Sequence, residues 1–139
     1  MPVHIETRQA GAGIILDCSG SLTLSDFREV QNEFLTCPEK LKQLKYVILD
    51  LTFADSLNIP YGHVDFLAEQ DKLIANSAPP GVLYAVAAPR DLGYGLARMW
   101  QVLAEQTKWE TLVLRSRSEA EGWIRKRAHQ KFGLDIGPD

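Results

Sequence analysis

The segment Tyr46-Val-Ile-Leu-Asp-Leu51 is the clearest strand in the sequence. A short apolar run bounded by polar residues is typical of a strand buried on both faces, as in the middle of a parallel sheet. Val82–Ala88 has the same character and predicts a second interior strand. Between them, Val64, Leu67 and Ala68 recur at helical spacing. The central part of the chain is therefore predicted to be a strand–helix–strand unit with parallel strands.

The N-terminal part is predicted to form a hairpin followed by a helix. Val3–Thr7 alternates apolar and polar residues, Gly11–Gly13 supplies a turn, and Ile14–Cys18 returns as a strand that ends at Gly20. Thr23–Asp26 then has the spacing of a capping box, with a hydroxyl three residues before a carboxylate. Residues 52–59 are predicted to form a loop after the central strand.

The C-terminal part continues the alternation of helices and strands. One apolar stripe has the best helical spacing in the chain, and consists of Leu96, Met99, Trp100, Leu103 and Ala104. Trp109–Leu114 is predicted to be the last strand, and Ser118–Glu121 a second capping box. The order β-β-α-β-α-β-α-β-α indicates an α/β fold with a single mixed, mostly parallel sheet. One domain is expected over residues 1–133, with a loose tail over 134–139.

Composition supports one globular domain and argues against two classes of partner. The chain has 139 residues, of which 45% are hydrophobic and 24% charged, and its formal net charge is −3. A weakly acidic chain lacks the basic surface that nucleic-acid binding needs, so no nucleic-acid partner is expected. No apolar stretch approaches the roughly 20 residues of a membrane helix, so no membrane insertion is expected. Without a visible signal peptide, Cys18 and Cys37 are expected to be reduced thiols in the cytoplasm.

The segment 52–63 is the first candidate site, because ligands of open α/β sheets bind beyond the carboxyl ends of the strands. It carries a carboxylate, a hydroxyl, an amide, a phenol and an imidazole just before a helix, in Asp55, Ser56, Asn58, Tyr61 and His63. Asp55, Ser56 and His63 are also the residue types of a hydrolytic triad. The G-x-S-x-G motif is absent, however, and such residues more often cap helices.

Gly93 and Gly95 form the second candidate site, since they follow a predicted strand and open a helix. The third glycine of a dinucleotide-binding motif is replaced by Arg98, which favours a tight turn with close helix–sheet packing. An anion held by Gly93, Gly95 and Arg98 is the alternative interpretation.

Other chemistries receive little support from the sequence. His4, His63 and His129 lack the spacing of metal ligands, so no metal or cofactor is predicted. Asp50 lacks the acidic pair and the lysine of a phosphoaspartate site. The segment from Arg115 to Lys131 carries six basic and two acidic residues, and this pattern is typical of a solvated helix face. A docking patch for an acidic partner or a membrane surface is the minority interpretation.

Four segments together resemble the STAS superfamily, and its SpoIIAA-like branch in particular. They are the opening hairpin, Tyr46–Leu51, the Asp55-Ser56 segment, and the region from Leu96 through Trp109–Leu114 to Ser118–Ile124. The resemblance implies a bacterial regulatory module related to anti-sigma-factor antagonists, which are phosphorylated in an Asp-Ser-Ser-Gly loop. Here that loop corresponds to Asp55-Ser56-Leu57-Asn58, so Leu57 replaces the usual acceptor and Ser56 is the remaining candidate.

Two functions follow from the resemblance. The first is a non-enzymatic protein-interaction module that binds another protein, or a second copy of itself, through Asp55, Ser56, Asn58, Tyr61 and His63. The alternative is a cavity for a lipid or another small apolar ligand, as in Sec14-type relatives. The apolar residues considered for such a cavity, which are equally typical of an ordinary core, are Phe27, Phe34, Phe53, Phe66, Met99 and Trp100.

Overall fold

The computed structural model describes residues 2–137 and contains the predicted alternation of strands and helices. The strands are β1 (Val3–Arg8), β2 (Gly13–Thr23), β3 (Tyr46–Asn58), β4 (Leu83–Ala87) and β5 (Glu110–Leu114). The helices are α1 (Leu24–Thr36), α2 (Val64–Ser77), α3 (Asp91–Ala104) and α4 (Arg117–Phe132). Short 3-10 turns cover Gln9–Gly11, Pro38–Leu41 and Tyr61–His63.

The five strands form one sheet in the order β1-β2-β3-β4-β5. The hairpin makes β1 antiparallel to β2, whereas the other neighbouring pairs are parallel. The strand predicted from Tyr46 lies at the centre, where Ile48 is paired with Ile15 on one side and Ala85 on the other. The prediction of a mixed, mostly parallel sheet is therefore confirmed.

The helices cover the two faces of the sheet unequally. The sequential order of β2 to β5 places the three crossover helices, α1, α2 and α3, on one face, where they share a large apolar core with the sheet. On the other face α4 alone packs against the sheet through Ala120, Ile124 and Ala128, each at most 1% exposed.

The predicted loop at 52–59 is wrong, because β3 continues as a strand to Asn58. Its partner β2 likewise continues past Gly20, where the strand was expected to end, to Thr23. The extension is held by parallel pairing of Leu22 with Leu57 and by complete burial of Leu22. Gly20 adopts a positive φ of 73° next to a register shift, so it allows an irregularity within the strand rather than ending it.

Two predictions about helix ends have different outcomes. The capping box at Thr23 is confirmed, since its side chain accepts from the Asp26 N–H and the Asp26 carboxylate accepts from the Thr23 N–H. The second box is wrong in position: α4 is capped by Ser116, whose hydroxyl accepts from the Glu119 N–H. Ser116 and Ser118 each stand three residues before a glutamate, so the sequence offered the same spacing at both serines.

The segment after α4 is attached to the domain as far as the structure describes it. Leu134 and Ile136 pack against the core on the α4 side, and the Ile136 carbonyl accepts from the Arg125 guanidinium at 3.1 Å. Leu134 and Ile136 are thus in contact with the domain, while Pro138 and Asp139 lie outside the described residues, and the division into a domain over 1–133 and a tail over 134–139 stays a prediction. The expected apolar stripe of α3 also differs at Met99, which is exposed.

Candidate functional site

The end of β3 projects beyond the body of the sheet. Pairing with β4 stops at Asp50, whereas pairing with β2 runs on to Asn58. Residues 51–58 therefore have a strand neighbour on one side only. We refer to residues 52–63, which include this projection and the turn before α2, as the β3 tip.

The five candidate residues of the first site all lie on the β3 tip. Asp55, Asn58, Tyr61 and His63 are exposed, and Ser56 is half-buried. No hydrogen bond or ion pair within residues 2–137 uses any of these five side chains. Their polar groups are therefore available to a partner.

The tip also exposes two aromatic rings, Tyr61 and Phe53. Only Tyr61 was predicted from the sequence to contact a partner. Tyr61 is 63% exposed and Phe53 is 73% exposed, the largest exposures among the large hydrophobic residues described. Phe53 was considered as a cavity or core residue, and its exposure corrects that expectation. Large apolar side chains that are exposed together are typical of binding surfaces.

The hydrolytic triad suggested by residue types does not form in the described structure. Ser56 lies within β3, where it is paired with Ser21, and His63 lies in the turn immediately before α2. No hydrogen bond joins Ser56 to His63 or Asp55 among residues 2–137. The His63 side chain does not cap α2 either.

Arg90 is part of this site and was not singled out from the sequence. Its guanidinium donates to the carbonyls of Ala54 at 2.8 Å and Asp55 at 3.0 Å, so it satisfies main-chain acceptors of the projecting strand. Arg90 also lines a small pocket of about 50 Å³ together with Ser56 and Gly93. The signal available in the sequence was a basic residue placed directly between an interior strand and a helix start.

The glycine pair has a packing role at one of its two positions. Both glycines lie inside α3 rather than in a turn, which corrects the expected tight turn. A Cβ on Gly93 would lie 3.3 Å from the Leu57 Cδ1, so the predicted close packing of helix and sheet is confirmed there. A Cβ on Gly95 would meet nothing within 4 Å, and Arg98 instead donates to the Gln101 side chain. The anion site proposed for these residues stays a prediction.

A second candidate site is a cavity of about 120 Å³ between the sheet and helices α1, α2 and α3. Its lining follows the length of β3, from Leu41 and Leu44 near the start of the strand to Leu57 and Ile59 near its end. The lining is mostly apolar, and its polar members include Gln31 and Asp71.

Asp71 is the unexpected charged group of this cavity. It lies in phase with the apolar residues of α2 and is buried. Its two carboxylate oxygens accept from the Gln31 Nε2 at 3.0 Å and from the Trp100 Nε1 at 2.8 Å. Burial raises the pKa of Asp71 to about 6, although both hydrogen bonds lower it in part. The only signal for this buried charge in the sequence was an aspartate at a core position of an amphipathic helix.

Two buried polar atoms next to this cavity lack a partner among residues 2–137. They are the Gln31 Oε1 and the Trp109 Nε1, and both residues line the cavity. The orientation of the Gln31 amide is fixed, because its nitrogen donates to two acceptors, the Leu67 carbonyl and Asp71. The Gln31 oxygen is therefore an acceptor without a donor, and the Trp109 N–H is a donor without an acceptor. Such groups are rare inside native proteins.

On the opposite face of the sheet, Arg117 connects α4 to two strands. Its guanidinium donates to Asp17 on β2 at 3.0 Å, to Asp50 on β3 at 2.8 Å and to Glu121 within α4 at 3.1 Å. Asp50 also accepts from the Thr52 N–H.

The basic segment from Arg115 to Lys131 is largely paired with acidic residues. Apart from Arg117, Arg115 pairs with Asp91, and Arg127 and Lys131 both pair with Glu110. These pairs favour the interpretation of a helix held to the domain over a patch for an acidic partner. Within residues 2–137, no group of three or more His, Cys, Asp or Glu residues is arranged to hold a metal.

Comparison with known proteins identifies the fold. An uncharacterized protein of the DUF3478 family with a SpoIIAA-like fold, from Shewanella loihica PV-4, superposes with a TM-score of 0.54 at 17% identity, covering 88% of this chain and 91% of that one. The anti-sigma factor antagonist SpoIIAA in its unphosphorylated form superposes with a TM-score of 0.52 at 12% identity, covering 89% and 96%. The chain thus has a SpoIIAA-like fold, as its sequence resemblance predicted.

No protein-family model matches the sequence, and no curated protein matches it. In the part of the chain that the structure describes, no helix has the length and apolar character needed to cross a membrane.

Proposed function

We propose that this chain is a non-enzymatic regulatory module that binds another protein through the β3 tip. The SpoIIAA-like fold supports the regulatory class, because one protein with this fold is an anti-sigma factor antagonist. The five candidate side chains of the β3 tip form no hydrogen bond or ion pair within residues 2–137, and this supports docking of the partner at the tip. We also propose that the protein acts in the cytoplasm, which fits the free thiols of Cys18 and Cys37.

The observation that carries this proposal is the exposure of Phe53 on the projecting strand and of Tyr61 in the turn that follows it. Aromatic side chains are enriched among the residues that dominate binding energy at protein interfaces. Asp55, Asn58 and His63, which are exposed on the same segment, add groups that form hydrogen bonds. This combination of apolar anchors and a polar rim is typical of a docking surface.

The tip is held rigidly, which favours binding. β2 pairs with the projection along one side. The Arg90 guanidinium donates hydrogen bonds to two main-chain carbonyls of the projection, those of Ala54 and Asp55. A surface ordered before binding loses less conformational entropy when the partner docks.

The experiment is quantitative affinity capture from extracts of the source cells. The wild type is compared with the double variant Phe53→Ser/Tyr61→Ala and with the control Val102→Ser. Val102 is 60% exposed near the end of α3, at the opposite end of the sheet from the tip. We expect the tip variant to recover the partner at least about tenfold less well, since an anchor residue contributes about 2 kcal/mol or more. Equal recovery by the tip variant and the wild type would contradict the proposal.

We further propose that phosphorylation of Ser56 regulates docking. A phosphate would add about two negative charges to the pocket that Ser56 shares with Arg90, where a guanidinium can bind it. Such a phosphate competes with the Ala54 and Asp55 carbonyls for Arg90 and alters the tip. Ser56→Asp is expected to weaken capture of the partner, whereas Ser56→Ala is expected to retain it. Identical capture by both variants would argue against regulation at Ser56.

Self-association into a homodimer through the same tip belongs to this proposal. Light scattering at two protein concentrations measures the mass of the species in solution. A dimer that Phe53→Ser/Tyr61→Ala converts to monomer would support it, and a dimer unaffected by the variant would place that contact elsewhere.

The second candidate function is the binding of a small ligand in the cavity beside α1, α2 and α3. The observation that favours it is the pair of buried polar atoms without partners, on Gln31 and Trp109. Native mass spectrometry of the protein purified under mild conditions tests it. A co-purifying small molecule supports this function, and a mass equal to that of the chain alone counts against it.

A further inference from the structure

We propose that the cavity binds a small uncharged molecule composed of a short hydrocarbon chain and one hydroxyl group. This inference rests on the second candidate function above and specifies the chemical class of its ligand. It is carried by the size of the cavity, by the donor and acceptor that line it, and by the charge already buried there.

The size and lining of the cavity define the hydrocarbon part. A dry cavity of roughly 150 Å³ holds benzene, so about 120 Å³ holds about five heavy atoms. That volume is too small for a membrane lipid. The lining is mostly apolar, so it suits a hydrocarbon chain. Phe27 and the β3-tip residues Leu57 and Ile59 are half-buried lining residues, and we expect the ligand to enter between them.

The unpartnered atoms define the polar part. The Gln31 Oε1 needs a donor and the Trp109 Nε1–H needs an acceptor. A hydroxyl group provides one donor and two acceptor lone pairs, so it can donate to the Gln31 oxygen or accept from the Trp109 N–H, whichever of the two it reaches. Leaving such buried atoms unsatisfied is unfavourable, so the hydroxyl is expected to contribute to affinity as well as to specificity.

The buried carboxylate excludes charged alternatives. Asp71 is already an acceptor for Gln31 and Trp100, and its negative charge at neutral pH repels a carboxylate ligand. An ammonium group has three donors and no acceptor, so it leaves the Trp109 N–H unsatisfied. An uncharged hydroxyl avoids both penalties.

Nuclear magnetic resonance of the tryptophan indole N–H groups tests this class directly. The ¹⁵N-labelled protein is titrated with 1-butanol, pentane, butylammonium and butanoate. We expect 1-butanol to shift the Trp109 indole resonance to saturation and to leave that of Trp123, a half-buried residue of α4 that does not line the cavity, unchanged. Pentane is expected to bind about tenfold more weakly, because it forms no hydrogen bond.

Two variants connect the signal to the atoms named. Gln31→Met removes the acceptor and is read from the Trp109 indole resonance, whereas Trp109→Phe removes the donor and is read from that of Trp100, which also lines the cavity. The variant that removes the hydrogen-bond partner of the hydroxyl is expected to weaken 1-butanol binding about tenfold, and undiminished binding by both variants would contradict the inference. Trp123→Phe is the matched control and is expected to leave binding unchanged. If Trp109→Phe fails to fold, Gln31→Met alone, read from the Trp109 resonance, keeps the inference testable.

The outcomes separate this inference from the function on which it rests. Binding of butylammonium or butanoate that equals or exceeds that of 1-butanol overturns the hydroxyl class, and a charged co-purifying molecule would then leave the cavity function standing. A Trp109 resonance that no probe moves indicates a cavity occupied only by water and also overturns the inference. If no small molecule co-purifies in that case, both proposals fail, while docking through the β3 tip is unaffected.

Discussion

The two faces of the sheet bury similar residues in different ways. On the α4 face, as far as the structure describes it, six strand residues at most 1% exposed pack against three equally buried residues of one helix, and Arg117 joins that helix to β2 and β3 by ion pairs. On the other face, three helices enclose a cavity with a buried carboxylate, Asp71, and two buried polar atoms that have no partner among residues 2–137. The comparison indicates that the α4 face stabilises the fold, whereas the cavity face retains space and polar groups that folding alone does not require.

The largest expected effect compares one isoleucine from each face. Ile124→Ala on the α4 face is expected to lower the free energy of unfolding by about 4 kcal/mol, because it opens a void in tight packing. Ile74→Ala, which lines the cavity, is expected to lower it by only about 2 kcal/mol, since that side chain already borders empty space. Urea unfolding measures both. Equal losses would show that the two faces are packed alike.

The pH dependence of stability isolates Asp71. Its pKa is raised from 3.8 to about 6 in the folded state, so the folded state binds the proton more tightly than the unfolded state. The resulting stabilisation is fully present below about pH 3.8 and is lost as the pH rises through about 6. A shift of this size corresponds to up to about 3 kcal/mol.

Asp71→Asn removes this titration, and the neighbours Gln31, Trp100 and Tyr84 remain. The stability of the wild type minus that of the variant is therefore expected to fall between pH 4 and pH 7. Urea midpoints of the two proteins across this range measure the difference. A difference that stays constant with pH would show that Asp71 is solvated rather than buried.

Breaking the ion pairs of the α4 face is expected to have a smaller effect. Arg117→Met leaves Asp50 buried without its cation, and a loss of about 2 kcal/mol is expected, at the low end for buried pairs because Arg117 is partly exposed. Lys126→Met, at an exposed position of the same helix, is the control and should change stability by less than about 0.5 kcal/mol. Similar values for both variants would assign the Arg117 cluster no structural role.

The smallest expected effect on stability belongs to the β3 tip. Phe53→Ser and Tyr61→Ala each remove an exposed side chain and are expected to change the unfolding free energy by less than about 0.5 kcal/mol. Thermal unfolding of each variant measures this. A loss of more than about 2 kcal/mol would indicate that these rings support the fold rather than a partner.

The sequence predicted the sheet because its central strands are buried on both faces, and Tyr46–Leu51 is consequently apolar along its length. It failed at residues 52–59, since what makes them a strand is pairing with β2, and no local pattern records the match between Leu22 and Leu57. The position of Arg90 depends on the same long-range arrangement.

The cavity was predicted only as an alternative, and its polar members were not predicted. Gln31 and Asp71 stand at core positions of their helices, but the hydrogen bond that lets these polar side chains be buried there spans 40 positions of the chain. Phe53 was expected in a cavity or the core but is exposed. The sequence shows that this residue is hydrophobic, but it does not show which face of its strand other elements cover. The fold was therefore accessible from periodicity, whereas the sites depend on contacts between distant segments.

The most direct test of docking through the β3 tip is photo-crosslinking in living source cells. A photoreactive phenylalanine analogue replaces Tyr61 at the tip in one strain and Val102 at the opposite end of the sheet in another. We predict a discrete crosslinked protein from position 61 and none from position 102. The same adducts from both positions, or an adduct from position 102 alone, would contradict the account.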